Sequence, residues 1–302
     1  MKGPTVRVLL LVDMEGISQI TSFRELWPEY SEYWDTGKEA TTADALAAID
    51  GLFAGGATAI TVCELHGPPG DAIVDLDRLP ERVDWVSAER FLQGPGLAGE
   101  HDAVFHLGWH ARCGTPDGFM SHTNGLNMRV SIDGRPVTEV HVNAWRTGLP
   151  LIGVTGDAAL GPQLNGVLEG VPFLAVKQAT NRSEASPNFA AEESSTAIRS
   201  FALWCAEHAS EREPAALPER FVLALSLSPE IADRIDGQHA LRRTSPAVLA
   251  KSVTDWWYEA EPALTGAMFA SFKRLFAADT PPAGRRAILE AWALADEPEW
   301  LT

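Results

Sequence analysis

The sequence predicts an α/β fold: a mixed, largely parallel sheet flanked by helices, with a smaller α+β region beside it. Three observations carry this. Apolar runs of strand length alternate with amphipathic stretches of helix length along the chain. Several of those runs close on a carboxylate or an imidazole, the place where a parallel sheet presents its ligand site. Midway, Asp133-Gly134 joins two short segments as a hairpin, which adds antiparallel character.

The first strand is the run Val6-Arg7-Val8-Leu9-Leu10-Leu11-Val12, and a helix over residues 38–53 follows it. Ala43, Leu46, Ala47, Ile49 and Phe53 are expected to form the apolar face of that helix, and Gly55-Gly56 to stop it. A strand ending near Glu64 completes a βαβ opening. Next come a short strand-like segment at Val83–Val86 and a strand through Phe105, within the run that ends at Trp109. The hairpin strand from Met128 to Ile132 turns at Asp133-Gly134 into a helix carrying Glu139, Val140 and Trp145. Strands at 151–155 and 173–176, a long helix at 187–207 and a strand at 221–227 continue the pattern. The stretch 209–218 reads as a surface connection. Residues 229–276 mix a polar helix, the aromatic cluster Trp256-Trp257-Tyr258, read as core packing, and an apolar helix. One catalytic domain is expected over residues 1–278, with a smaller subdomain in its second half and a C-terminal extension over 279–302.

With 302 residues and 45% apolar content, the chain can bury a large core. Its 24 Lys and Arg against 41 Asp and Glu leave a formal charge of -17, which disfavours binding to nucleic acid or to an anionic membrane surface. Met1-Lys2-Gly3-Pro4 shows no export signal, and no apolar stretch approaches the roughly 20 residues of a membrane span, so a cytoplasmic enzyme is expected. Cys63, Cys113 and Cys205 are read as reduced thiols.

The chemistry-bearing residues sit at segment ends. Asp13 and Glu15 close the first strand just before Gly16, and two carboxylates at that spacing project to one side. His66 follows the run Ala59-Ile60-Thr61-Val62-Cys63, His110 follows Trp109, and Glu139 opens the helix after the hairpin. Three carboxylates and two imidazoles make a mixed nitrogen and oxygen donor set suited to zinc, with manganese or cobalt as alternatives, and five such ligands can hold two ions.

Together with that set, the segments Leu11-Val12-Asp13-Met14-Glu15-Gly16, Gly108-Trp109-His110-Ala111-Arg112, Met120-Ser121-His122, Arg135-Pro136-Val137-Thr138-Glu139, Asn143-Ala144 and Val176-Lys177-Gln178 resemble the DppA-type D-aminopeptidases, which are binuclear zinc metallopeptidases. The resemblance runs in order from about residue 6 to about residue 276. It implies that Asp13 bridges two zinc ions, with Glu15, His66, His110 and Glu139 as the other ligands, and that His122 is the catalytic residue. It also implies a ring-like homodecamer and short peptide substrates with an N-terminal D residue such as D-alanine. Leu11 stands where the family usually has Ser, Cys63-Glu64-Leu65 replaces Asn-Asp-Ser before His66, and one residue is added at Asp117-Gly118 ahead of His122, changes that bear on substrate preference.

Hydrolysis follows from such a centre. Zinc brings the pKa of a bound water from about 15.7 toward roughly 7, so hydroxide is available at neutral pH to attack an amide carbonyl. His122 is then an acid, base or oxyanion stabiliser. Arg112, Lys177 and Asn143 are candidate substrate contacts, the two cations for a substrate carboxylate. His106 is read as a core residue or a neighbour of the ligands, His141 as packing, and His101, His208 and His239 as surface residues. The alternatives are an amidohydrolase with the same metal site acting on a nonpeptide amide, and a metal-stabilised scaffold without turnover.

Overall fold

The computed structural model describes residues 6–67, 72–94, 96–273, 277 and 279–295. Met1 to Pro4, Phe276 and Trp300 lie outside these residues.

β1 (Val6–Val12) enters the core directly, with Val8, Leu9, Leu10, Leu11 and Val12 all fully buried. A strand covered on both faces is what a continuous aliphatic run encodes, and each such side chain contributes about 1.5–3 kcal/mol over an exposed one. α1 (Ser31–Ala54) precedes β2 (Ala57–Glu64), β3 (Val83–Val86), α2 (Ala88–Leu92) and β4 (Ala103–Trp109). The hairpin β5 (Arg129–Ile132) and β6 (Arg135–Pro136) leads to α3 (Glu139–Thr147), then β7 (Leu151–Asp157) and the short α4 (Gly161–Leu164). β8 (Phe173–Asn181), β9 (Glu184–Pro187), α5 (Ala191–Glu207), β10 (Phe221–Ser226) and α6 (Pro229–Ile235) follow. β11 (Arg242–Ser245), β12 (Val248–Val253), α7 (Glu261–Phe272) and α8 (Pro282–Leu294) complete the described chain.

Two sheets result. The first has seven strands in the order β3-β2-β1-β4-β7-β8-β9, parallel except for the β8–β9 pair, and the second has five antiparallel strands in the order β11-β12-β10-β5-β6. This is the expected mixed α/β architecture with a smaller region. Register brings the functional ends together: Val12 pairs with Glu64 on one side and Leu107 on the other, so the residues leaving β1, β2 and β4 emerge at one edge.

Several boundaries differ from the sequence expectation, each for a tertiary reason. α1 starts at Ser31, and its most buried positions include Thr41, Ala45, Ala48 and Leu52, whereas Ala43, Leu46, Ala47 and Phe53 are only half-buried. The tight side is built of small residues because α5 crosses there: a Cβ on Gly51 would sit 2.2 Å from the Arg199 carbonyl oxygen. The long helix begins at Ala191, since Ser186 and Pro187 pair with β8 as part of β9. β11 and β12 occupy a stretch read only as helices and aromatics. Of the aromatic cluster, Trp256 is buried against Trp145 and Phe221, while Tyr258 is 85% exposed. The extension expected beyond residue 278 contains α8, whose Leu289 and Trp292 belong to the core beneath the first sheet. Among the described residues, no helix is long and apolar enough to cross a membrane.

Candidate metal centre

The loop after β1 carries Asp13 and Glu15 and is held from three directions. Gly16 lies against the end of β4, where a Cβ would come within 2.1 Å of the Trp109 carbonyl oxygen. Ser18 donates from its backbone N–H and its hydroxyl to Asp44 of α1, both at 2.8 Å. Lys177, fully buried on β8, donates from Nζ to the Glu15 carbonyl at 2.8 Å and to the Ile20 carbonyl. Burial brings the Lys177 ammonium down to about 7. Its hydrogen bonds therefore go to shaping the loop, and Lys177 does not line the cavity, in contrast to the substrate contact expected of it.

The expected ligands converge. One Asp13 oxygen lies 3.3 Å from His66 Nδ1, and the other lies 3.3 Å from His110 Nε2. His66 Nδ1 is also 3.0 Å from Glu15 Oε2. Glu139, at the first position of α3, stands 4.0 Å from His110 Nε2 and 3.6 Å from His122 Nε2. Donor atoms of Asp13, Glu15 and His110 all fall within 4.8 Å of one another, as do those of His110, His122 and Glu139. His122, expected only as a catalytic group, thus also stands among donors placed to hold an ion. Its ring stacks on that of His110 at 4.0 Å between centroids.

The far side of each imidazole decides what the near side can do. His66 Nε2 is 2.8 Å from the Leu26 carbonyl, His110 Nδ1 is 2.9 Å from the Ala111 carbonyl, and His122 Nδ1 is 2.8 Å from the Met120 carbonyl. Each carbonyl requires an N–H, so in the neutral ring the opposite nitrogen turns a lone pair toward carboxylate oxygens. Lone pairs facing carboxylates at these distances need a proton or a cation between them. His110 Nε2 and Asp13 Oδ2 are buried without a hydrogen-bond partner. Burial also pushes the Asp13 carboxyl up to about 6 and the Glu139 carboxyl up to about 7, the mark of anions short of compensating charge. A backbone acceptor that fixes the tautomer of each imidazole is the usual outer support of a metal site. The donor set fits zinc or a similar dication.

The cluster opens into a cavity of about 430 Å³ whose lining includes Asp13, Glu15, His66, His122 and Glu139. Asn143 lines it, and its Oδ1 accepts a 2.6 Å hydrogen bond from Arg146. Arg112 does not line it. Its backbone N–H donates to Gln163, and Arg146 is the cation in the wall. Arg146 in turn makes a two-point pair with Glu261 of α7, each contact 2.9 Å, with both side chains about 5% exposed.

Other residues were not signalled by sequence pattern. Asp157, at the end of β7, accepts from the Phe119 N–H at 2.7 Å and so places the loop that carries His122. Trp292 of α8 sets its ring edge-on to His122 at 5.4 Å and to Trp27 at 6.4 Å, and Trp27 packs against His66 at 5.1 Å. His101, read as a surface residue, is buried and bonded to the Leu97 carbonyl and Thr61 Oγ1, both at 2.8 Å. His106 is buried with neither ring nitrogen bonded, and His141 joins Thr138 in capping α3.

A family model described as D-aminopeptidase matches residues 6–260, a stretch that contains every residue of the cluster. The chain belongs to the D-aminopeptidase family. The D-aminopeptidase of Bacillus subtilis (strain 168) is 30% identical over 184 residues, 59% of this chain and 66% of that protein. The chain therefore spans just under two thirds of the length of that curated relative. The solved structure of the Zn-dependent D-aminopeptidase DppA from Bacillus subtilis, described as a self-compartmentalizing protease, superposes with a TM-score of 0.77 at 23% identity. The match covers 88% of this chain and 98% of that one, and it supports the fold.

Proposed function

We propose that this protein is a zinc-dependent D-aminopeptidase that removes N-terminal D residues from short peptides or amides. The observation that carries the reading is the buried cluster in which His66, His110 and His122 are each fixed by a backbone carbonyl and turn their other nitrogen toward Asp13, Glu15 or Glu139. Family membership and the Zn-dependent structural relative support the same chemistry. Asp13, Glu15, His66, His110 and Glu139 would hold the metal, with two ions per chain expected; manganese or cobalt could replace zinc.

Zinc bound there supplies Lewis acidity, which polarises a carbonyl and lowers the pKa of a water. The residues of the chain do the rest. His122 keeps Nδ1–H on the Met120 carbonyl and presents Nε2 to the cluster, so it can take a proton and return it to a leaving amine. Burial lowers its pKa, which keeps the acceptor nitrogen free at neutral pH. Glu139, whose Oε1 accepts from the Asn124 N–H, holds its carboxylate against both His110 and His122. Asn143 stands where it can orient the substrate amide. The acidic floor suits the amino end of a substrate.

The hydrolase domain then includes α8, since Leu289 and Trp292 of the segment expected as an extension pack into its core. We assign a cytoplasmic location and a homo-oligomer, in line with the self-compartmentalizing relative, with the decamer that the family resemblance implies. Sedimentation that returned a monomer would remove the oligomer. Elemental analysis beside an Asp13→Ala variant tests the centre: about two zinc ions per chain, lost in the variant together with D-Ala-p-nitroanilide hydrolysis, is the expected result. A wild-type protein that binds no metal when zinc is supplied would end the reading.

A further inference from the structure

Above the cluster the cavity changes character. Leu65, just after β2, Leu92, at the end of α2, Trp27, and Met268, Phe269 and Phe272 of α7 line it with apolar surface. α7 begins at Glu261, just past residues 6–260 matched by the family model, so Met268, Phe269 and Phe272 are not among the matched residues. Phe269 is 52% exposed although it lines the cavity, which leaves a large apolar surface for a ligand to cover. Arg146 is the one arginine or lysine in the lining, and it is already paired with Glu261 and Asn143, so an acidic group entering here meets no free cation among the described residues. Glu89 and Gln93, one turn apart on the α2 side, together with Asn124 and with Thr265 of α7, add polar groups to the lining.

We propose that these walls are the subsite for the substrate's N-terminal side chain, and that they select D residues with a large apolar side chain, of the leucine or phenylalanine class, over D-alanine. The inference rests on the aminopeptidase reading above and adds the substrate class. An alanine methyl can cover only a small part of six apolar side chains around about 430 Å³. Each further methylene placed against them is worth roughly a fourfold gain, so leucine should exceed alanine by about ten- to a hundredfold. Polar recognition is left to the floor, where the carboxylates and Asn143 meet the amine and the amide, and the side chain points the only way that offers apolar contact.

The test uses the zinc-loaded protein and simple amides, D-Leu-NH2, D-Phe-NH2 and D-Ala-NH2, whose ammonia leaving group removes any contribution from the other side of the bond. kcat/KM should rank the first two about ten- to a hundredfold above the third, and calorimetric Kd values for D-leucinol and D-alaninol should rank the same way. Leu92→Asp should collapse the leucine-to-alanine ratio to within about threefold, and Phe269→Ser provides a second reading should the first variant fold poorly. D-Ala-NH2 turned over at least as fast as D-Leu-NH2, or a ratio unmoved in both folded variants, would overturn the subsite and leave the aminopeptidase standing. No turnover of any D-amide by protein shown to hold zinc would overturn both.

Discussion

The floor and the walls of the cavity come from different parts of the chain and follow different rules. The floor is made where parallel strands end: Asp13 leaves β1, His66 follows β2 and His110 follows β4, so the sheet register itself brings the donors together. Much of the wall comes from α7, whose Ala263, Leu264 and Ala267 pack in the core of the second sheet and whose Glu261 forms a buried ion pair. The floor therefore tolerates little change in chemistry, while the walls can change specificity without touching the metal donors. This difference also separates the kinds of damage that a mutation should cause.

The largest effect is expected at the floor, from His122→Ala. Proton transfer by a positioned side chain contributes about 10²–10⁴-fold. Turnover should fall within that range. If His122 acts as acid and base, metal content by elemental analysis stays at the wild-type level. If metal is lost in parallel with activity, His122 is a ligand and the second donor triad, His110, His122 and Glu139, is the reason.

Next comes the link between floor and wall. Arg146 lies on α3 with Glu139, and Glu261 opens α7, so the pair joins the helix of Glu139 to the wall helix. Arg146→Met strands a buried carboxylate and should cost about 3–5 kcal/mol of stability, read from urea midpoints. Adding Glu261→Met should recover most of it. A double variant as unstable as the single one would show that the pair is not the main attachment of α7.

Trp292 tests whether α8 supports the floor. Trp292→Ala removes a buried ring that contacts His122 and Trp27, and about 3 kcal/mol of stability should go with it. At unchanged metal content, kcat should fall by about tenfold with KM nearly constant, and Trp292→Phe should restore it. Equal losses in both variants would mean that the ring packs without orienting His122.

The contrast between floor and wall is also a contrast in what the sequence discloses. Asp13, Glu15, His66, His110 and Glu139 could be picked out because each interrupts or closes an apolar run, and a strand end constrains where its next residue can go. Arg146 and Glu261 could not be paired, because they are 115 positions apart and no local pattern links them. A charged residue on an otherwise buried helix was the available signal, since α3 buries Val140 to Thr147 throughout. Arg112 reads as a cation for a substrate carboxylate, but a place in the sequence near the site does not set where a side chain points. β11 was missed because Arg242, Arg243, Thr244 and Ser245 make a polar edge strand with no apolar alternation.

The smallest effect concerns a histidine of the same sheet that is not a ligand candidate. His106 lies on β4, four residues before His110, with both ring nitrogens buried and unbonded. Burial, helped by the nearby His141, brings its pKa down to about 3, against about 6.5 in the unfolded chain. The unfolded state therefore takes up a proton first, and stability present above pH 6.5 is lost as pH falls from about 6.5 toward about 3. The slope from this one group approaches about 1.4 kcal/mol per pH unit. His106→Leu, unfolded in urea at pH 7 and pH 4.5 with a chelator present to keep metal loss out of both, should lose less stability on acidification than the parent. An equal loss would mean that His106 finds a proton acceptor when charged, and that the sheet beside the cluster is less dry than its packing indicates.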